Sequence, residues 1–327
     1  MTPPEGTVLG GTGGVWRVRM DDGADVEASI RGRLKKSDYG RREGGAMRRD
    51  TVEAADRVLK LAVGDRVALE RAEGDTAWAI TAIQPRRSQL ARRAPGGGHG
   101  ERIVAANVDQ VVVVFAAAKP EPHPRMLDRF LVIAEANELA ARVVINKVEL
   151  VGEAVVRARF AAYEQAGYPV HCTSAKAGIG LEALRDTLAG RVSVLTGPSG
   201  VGKSSLVNAL FPGVDLRVGE ISESVNKGRH TTVGGHAHPL PDAAGGFLID
   251  TPGLREVGMW SLPVESLDRF FPELRPHLEQ CRFGDCAHDA EPDCAVRTAV
   301  EAGQVSAERY DSYRRLRTEL EDEPPVW

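Results

Sequence analysis

The sequence has no apolar run approaching the roughly 18 residues that a membrane-spanning helix needs, and its start, MTPPEGTV, lacks the basic-then-apolar build of a signal peptide. A cytoplasmic protein without a membrane partner is expected. Cysteine is scarce: the 327 residues hold four, three of them crowded into residues 281–294. That argues against a disulfide framework and for a metal site in a reducing compartment. Aromatic residues make up only 5% of the chain, and residues 1–90 carry just Trp16, Tyr39 and Trp78. Base stacking by this region therefore has few platforms. Neither sign of charge dominates, the formal net charge being −4. The distribution is uneven, with 19 Lys and Arg against 15 Asp and Glu over residues 1–105, and 23 against 31 over the remainder. A mildly basic front on an acidic body suits nucleic-acid contact by the front. The length allows two or three domains.

What the chain does have is an eight-residue phosphate-loop pattern. Gly197, Pro198, Ser199, Gly200, Val201, Gly202, Lys203 and Ser204 match G-x-x-x-x-G-K-[ST], and Ser205 follows. The pattern lies between an apolar run at 192–195, read as a buried strand, and a helix opening at 204–210. Glycines let successive N–H groups turn inward around a polyphosphate at a helix N-terminus that already favours anions. Lys203 is expected on the β- and γ-phosphates and the Ser204 hydroxyl on magnesium. The competing reading is a glycine-rich turn that binds nothing.

Residues 1–90 read as five short strands (GTVLGG, GVWRVRM, DVEASIR, VGDRVALE and DTAWAITAI) broken by Gly and Asp-Gly turns, a pattern suiting an OB-type β-barrel that binds RNA. Between the third and fourth, residues 31–50 carry eight Lys and Arg against three acids. Such a loop is either a solvated face or a tracker of phosphate backbone. Residues 85–103, rich in Pro, Gly and Arg, mark the first boundary. A second domain over 91–260 alternates strands with helices, the signature of a doubly wound, mainly parallel α/β sheet with ligands at the carboxyl ends of its strands. Residues 261–327 form a third, mostly helical part, with a helix expected over PVESLDRFF and a helical pair from about 295 to 321.

The loops of the second domain read as one site. Asn146, Lys147, Val148 and Glu149 end a buried strand and look like NKxD, a carboxylate that accepts from the guanine ring N–H and amine, with the acid lengthened by a methylene. A strand that merely ends in Asn-Lys is the alternative. Ser174, Ala175 and Lys176 resemble the SAK loop that supports the base. Asp250 begins DTPG, where it would reach magnesium through water while the Gly253 N–H meets the γ-phosphate. Thr231 or Thr232 would close over the metal when the γ-phosphate is present. These motifs come in a rotated order, with the base motif ahead of the phosphate loop. Termini that lie close together at a domain surface allow such a circular permutation.

Near the C-terminus, Cys281, Cys286, His288 and Cys294 suit a closed tetrahedral structural zinc site, although the spacing is not CxxC and buried free thiols remain the alternative. Asp285, Asp289 and Asp293 read as turn or supporting residues rather than ligands, and Cys172 as a small buried one.

Taken together these residues resemble the circularly permuted, ribosome small-subunit-dependent GTPases of the RsgA (YjeQ, EngC) family. The likeness runs through RGRL, VGDRV, IVAANVDQ, NKVEL, SAKAGIGL, GPSGVGKSSLVNAL, KGRHTT, IDTPGLRE and CRFGDCAHDAEPDCAV. It implies an OB–GTPase–zinc architecture, binding of GTP or GDP with magnesium and one structural zinc ion, and contact with the small (30S) subunit and its 16S rRNA. It also implies GTP hydrolysis stimulated by that subunit during late maturation. A monomer that does not bind DNA is expected. Glu149 departs from the family's Asp, Asp293 stands where a Gly is usual, and the basic loop is longer. Asp tolerates left-handed backbone, so the second change is compatible with the turn. Leu254, just after DTPG, cannot orient a water as a Gln does elsewhere, which leaves His230 as the candidate. An rRNA-binding assembly factor that binds nucleotide without turnover, and a phosphate-loop NTPase with relaxed base choice, are the other readings.

Overall fold

The computed structural model describes residues 3–30, 61–71, 77–93, 101–214, 235–241, 245–250 and 262–322. The basic loop at 31–50 lies outside them, as do His230, Thr231, Thr232, Gly253 and Leu254.

All five strands expected at the front are present. β1 (Glu5–Thr12), β2 (Val15–Met20), β3 (Asp25–Ile30), β4 (Arg66–Arg71) and β5 (Trp78–Ile83) close into a barrel in the order β1-β2-β3-β5-β4. Closure leaves no free strand edge. Alternation along β2 sends Trp16, Val18 and Met20 inward, where they meet Val8, Val67, Leu69 and Ile80 in a small core.

The stretch read as a boundary is partly built into the structure. β6 (Gln89–Arg93) and β7 (Glu101–Ala106) pair antiparallel. The barrel turn at 63–65 is joined to this region. The Ala106 N–H donates to the Val63 carbonyl at 2.8 Å, and Asn107 Nδ2 donates to the Gly64 carbonyl at 2.9 Å. Arg86 Nε meets the buried Asp65 carboxylate at 2.7 Å, an ion pair shielded from water.

The second sheet runs β10-β9-β8-β11-β13-β12, from β8 (Gln110–Ala116), β9 (Ala140–Asn146), β10 (Val170–Cys172), β11 (Val192–Thr196), β12 (His236–Pro239) and β13 (Phe247–Asp250). Every ladder is parallel except that of β12 with β13. β8 is buried along its whole length, which is why it is apolar from Val111 to Ala116: both faces of the sheet are covered. Helices α1 (Pro124–Ala136) and α2 (Glu153–Gln165) bury Leu127, Phe130, Leu131, Val156 and Phe160 on one face. Helices α3 (Leu181–Leu188) and α4 (Lys203–Leu210) place Leu184, Leu188, Leu206 and Leu210 on the other.

The last part is mostly helical. The helix expected over 263–271 is a 3-10 segment, Val264–Phe270, set between Pro263 and Pro272, which hold the chain out of a longer α-helix. A one-turn helix α5 (Arg275–Leu278) follows, then the cysteine-bearing loop, α6 (Ala295–Glu301) and α7 (Ala307–Asp322). Leu267, Phe271, Val296, Tyr313 and Leu316 form the core of this part, and Val132 of α1 joins it from the sheet domain.

Candidate nucleotide and metal sites

The parallel register brings the motif-bearing strand ends to one edge of the sheet. Ala116 of β8 pairs with Asn146 of β9, and Leu195 of β11 pairs with Asp250 of β13. The phosphate loop leaves β11 there and feeds α4, as doubly wound sheets place their ligands. Gly197 has φ of +134°, and a Cβ on it would lie 2.0 Å from the Val114 carbonyl oxygen. Only glycine lets the loop pass that close to β8. Val201 is buried among the α4-side residues and pins the loop, while Ser199, Gly200 and Ser205 are exposed and Pro198 is half-buried.

Lys203 is 5% exposed, and its Nζ donates to the carbonyls of Gly197 at 2.8 Å and Pro198 at 2.6 Å. The ammonium is thus held across the mouth of its own loop. Ser204 is buried in the first turn of α4, and Asp250 is half-buried at the end of the strand beside β11.

Asn146 ties three motifs together. Its Nδ2 donates to the Val201 carbonyl at 3.0 Å, and its Oδ1 accepts from the Ala175 N–H at 3.1 Å. One buried amide therefore spans the phosphate loop, its own strand end and the SAK-like loop, using both its donor and its acceptor end. Lys147 sits in left-handed backbone, and its Nζ bonds the carbonyls of Gly200, at 2.7 Å, and Lys119. Val148 is buried, with its N–H on the Thr173 carbonyl at 3.1 Å. Glu149 follows, exposed on the 3-10 turn Val148–Leu150. Ser174 is fully buried and its Oγ accepts from the Ala177 N–H at 2.9 Å, while Lys176 is exposed.

A residue the motifs did not flag secures the far end of the helix that follows the loop. Arg185 of α3 donates through Nε to the Leu210 carbonyl at 2.9 Å and stacks over Phe211. It satisfies the carboxyl end of α4, where a cation is favoured.

The four candidate zinc ligands converge. Their donor atoms all lie within 4.8 Å of one another. Cys281 Sγ is 4.0 Å from Cys294 Sγ, and His288 Nδ1 is 3.5 Å from Cys281 Sγ and 3.4 Å from Cys294 Sγ. Bonds of about 2.3 Å to sulfur in a tetrahedron put ligand atoms about 3.8 Å apart, so the set fits zinc with no position left for water. His288 Nε2 faces the Asp268 carboxylate at 3.3 Å, which fixes the ring with Nδ1 toward the thiols. Asp268 lies on the 3-10 segment, 20 residues from the histidine, and no spacing rule points to it. Two of the nearby acids stand apart from the four-residue ligand cluster. Asp293 adopts φ of +57° and pairs with Arg282, and Asp289 pairs with Arg314. Tyr313 and Tyr310 of α7 donate to the carbonyls of Ala287 and His288, tying the loop to the last helix. Cys172 is buried, as read.

Removing the metal is expected to loosen this whole part, because Cys281, Cys286 and Cys294 also belong to its core. A chelator should release one zinc ion per chain and lower the first thermal transition, with zinc restoring it. A metal-free preparation with an unchanged melt would contradict the assignment.

The chain is similar in sequence and in fold to known proteins. A family model described as RsgA GTPase matches residues 83–260. The chain is 59% identical over 320 residues to a small ribosomal subunit biogenesis GTPase RsgA of Gemmatimonas aurantiaca, with 98% of each chain covered. It is 36% identical over 321 residues to one from Bacteroides fragilis, covering 97% of each. It also resembles the crystal structure of YjeQ from Thermotoga maritima, with a TM-score of 0.75 and 32% identity over 98% of this chain and 99% of that one. YloQ, described as a circularly permuted GTPase, matches with a TM-score of 0.70 and 28% identity, over 99% of this chain and 97% of YloQ.

Proposed function

The chain belongs to the RsgA GTPase family, and from that premise we propose how its residues turn over GTP in small ribosomal subunit biogenesis. The three domains divide the work at about residues 90 and 260. GTP is the substrate. Its phosphates enter the turn formed by residues 197–205, where N–H groups at the start of α4 favour anions. Lys203 exchanges the Gly197 and Pro198 carbonyls for β- and γ-phosphate oxygens. Ser204 and Asp250, with Thr231, would hold magnesium, which when bound offsets charge on the phosphate oxygens. The fit rests on register: Asp250 lies beside Leu195, two residues before the phosphate loop.

Guanine is read by Asn146, Lys147 and Glu149, with Ser174, Ala175 and Lys176 supporting the ring. Leu254 cannot orient water, so His230 takes that role, while Thr231 or Thr232 serves the metal and the Gly253 N–H the γ-phosphate. The barrel contacts 16S rRNA through backbone and shape, the zinc site is structural, and the protein acts as a cytoplasmic monomer. The observation that carries this reading is Asn146, which holds the base-reading strand end and the phosphate loop as one unit.

Glu149→Gln tests the base assignment. Xanthine has a C2 carbonyl where guanine has an amine, and a carboxamide N–H can donate to it. GTP turnover should fall about a hundredfold while xanthosine triphosphate becomes the better substrate. Unchanged GTP preference would remove Glu149 from the site.

A further inference from the structure

The barrel and the nucleotide edge of the sheet meet at one histidine. β12 is the edge strand of the sheet and contacts β1 of the barrel. Two neighbouring residues of β1 make the joint. Leu9 is fully buried in the same core as Ala237 and Ile249, and Gly10 faces the His236 ring. A Cβ on Gly10 would lie 2.7 Å from His236 Nδ1, closer than real side chains approach. Gly10 also sits where the β1–β2 register shifts, a bulge that turns this part of β1 out of the regular ladder. His238 stacks edge-on against His236, with ring centroids 4.7 Å apart. Both rings are half-buried, and His238 is pushed down to about 4 by burial, so the pair packs as neutral rings.

His236 is also the residue paired in register with Asp250. The chain of contact therefore runs from the barrel at Gly10, through the His236 ring, across one rung of the ladder, to the carboxylate at the end of β13. β12 is a four-residue edge strand, paired on one side with β13 and packed on the other against β1, so both neighbours set its position.

We infer that His236 is a positioning residue: wedged against Gly10, it sets Asp250 relative to the barrel, so that load on the barrel reaches the catalytic carboxylate. The inference rests on the reading above that Asp250 serves the nucleotide site. It assigns the barrel a second task beyond holding RNA, namely tuning kcat with little effect on GTP affinity.

Gly10→Ala, His236→Ala and the double variant test it in the full-length protein, with two readouts. Amide exchange at 247–250 reports the mechanical link directly. GTP turnover and affinity, with and without small ribosomal subunits, report its consequence. Gly10→Ala should raise exchange at 247–250 and lower kcat about tenfold or more, with GTP affinity changed little. Deleting the ring in the double variant makes room for the methyl and should return both towards wild type. Unchanged exchange at 247–250 in Gly10→Ala, or a double variant no better than Gly10→Ala, would overturn the inference. Altered and rescued exchange with unaltered turnover would keep the link and instead count against Asp250's role in the site.

Discussion

Arg309→Ala is expected to cost about 3–5 kcal/mol, read as a lower melting transition of the C-terminal part. Arg309 is 2% exposed, yet it carries a charge that Asp128 and Glu273 keep in place against the penalty of burial. Its Nε and Nη2 reach Glu273 at 2.6 and 3.3 Å, and its Nη1 reaches Asp128, itself buried on α1. The guanidinium plane lies 4.7 Å from the Phe271 ring and 5.2 Å from that of Tyr163. Truncation would strand the buried Asp128 carboxylate and take the partner from Glu273, which costs far more than the pairs themselves are worth. Because α7 and Glu273 belong to the C-terminal part while Asp128 and Tyr163 belong to the sheet domain, the variant should also weaken the docking of one on the other. Adding Asp128→Asn and Glu273→Gln should recover part of the loss. A melt within experimental error of wild type would show that the cluster is not a fastening.

Gly197→Ala should weaken GTP binding roughly fivefold to 150-fold, from a backbone penalty of about 1–3 kcal/mol. The methyl would collide with the Val114 carbonyl in the middle of the most buried strand, so the loop has to move rather than the strand. Displacing the loop also breaks the Asn146–Val201 bond and so reaches the base-reading end. Circular dichroism should be unchanged, because the collision is confined to the site. Retained affinity would mean that residues 197–205 are not where phosphate binds.

Much of this was legible in the sequence because the relevant signals are local. Alternation along β2 and the unbroken apolar run of β8 announce strands, and the phosphate loop's residue types follow from its backbone needs. The zinc ligands lie within fourteen residues of each other in sequence. What escaped depends on distant partners. β12, reading HAHP, has no strand signature of its own and exists because β13 offers it an edge. β6 and β7 look like part of a linker because they flank the Pro- and Gly-rich run at 95–100, and pairing decides their state. Arg309 sits in a charge-rich helix that reads as solvated, while its partners are 181 and 36 residues away. Asp268 escaped for the same reason. Asp293 shows the converse: its departure from glycine is tolerated because Asp is among the few residues that accept the left-handed φ found there.

The measurement that bears most directly on the account is nucleotide hydrolysis with GTP and ATP in parallel, each with and without purified small ribosomal subunits. GTP-selective turnover that rises when subunits are added is the predicted result, and it would show that Glu149 reads guanine despite its extra methylene. Equal use of both nucleotides, or turnover indifferent to the subunit, would contradict it.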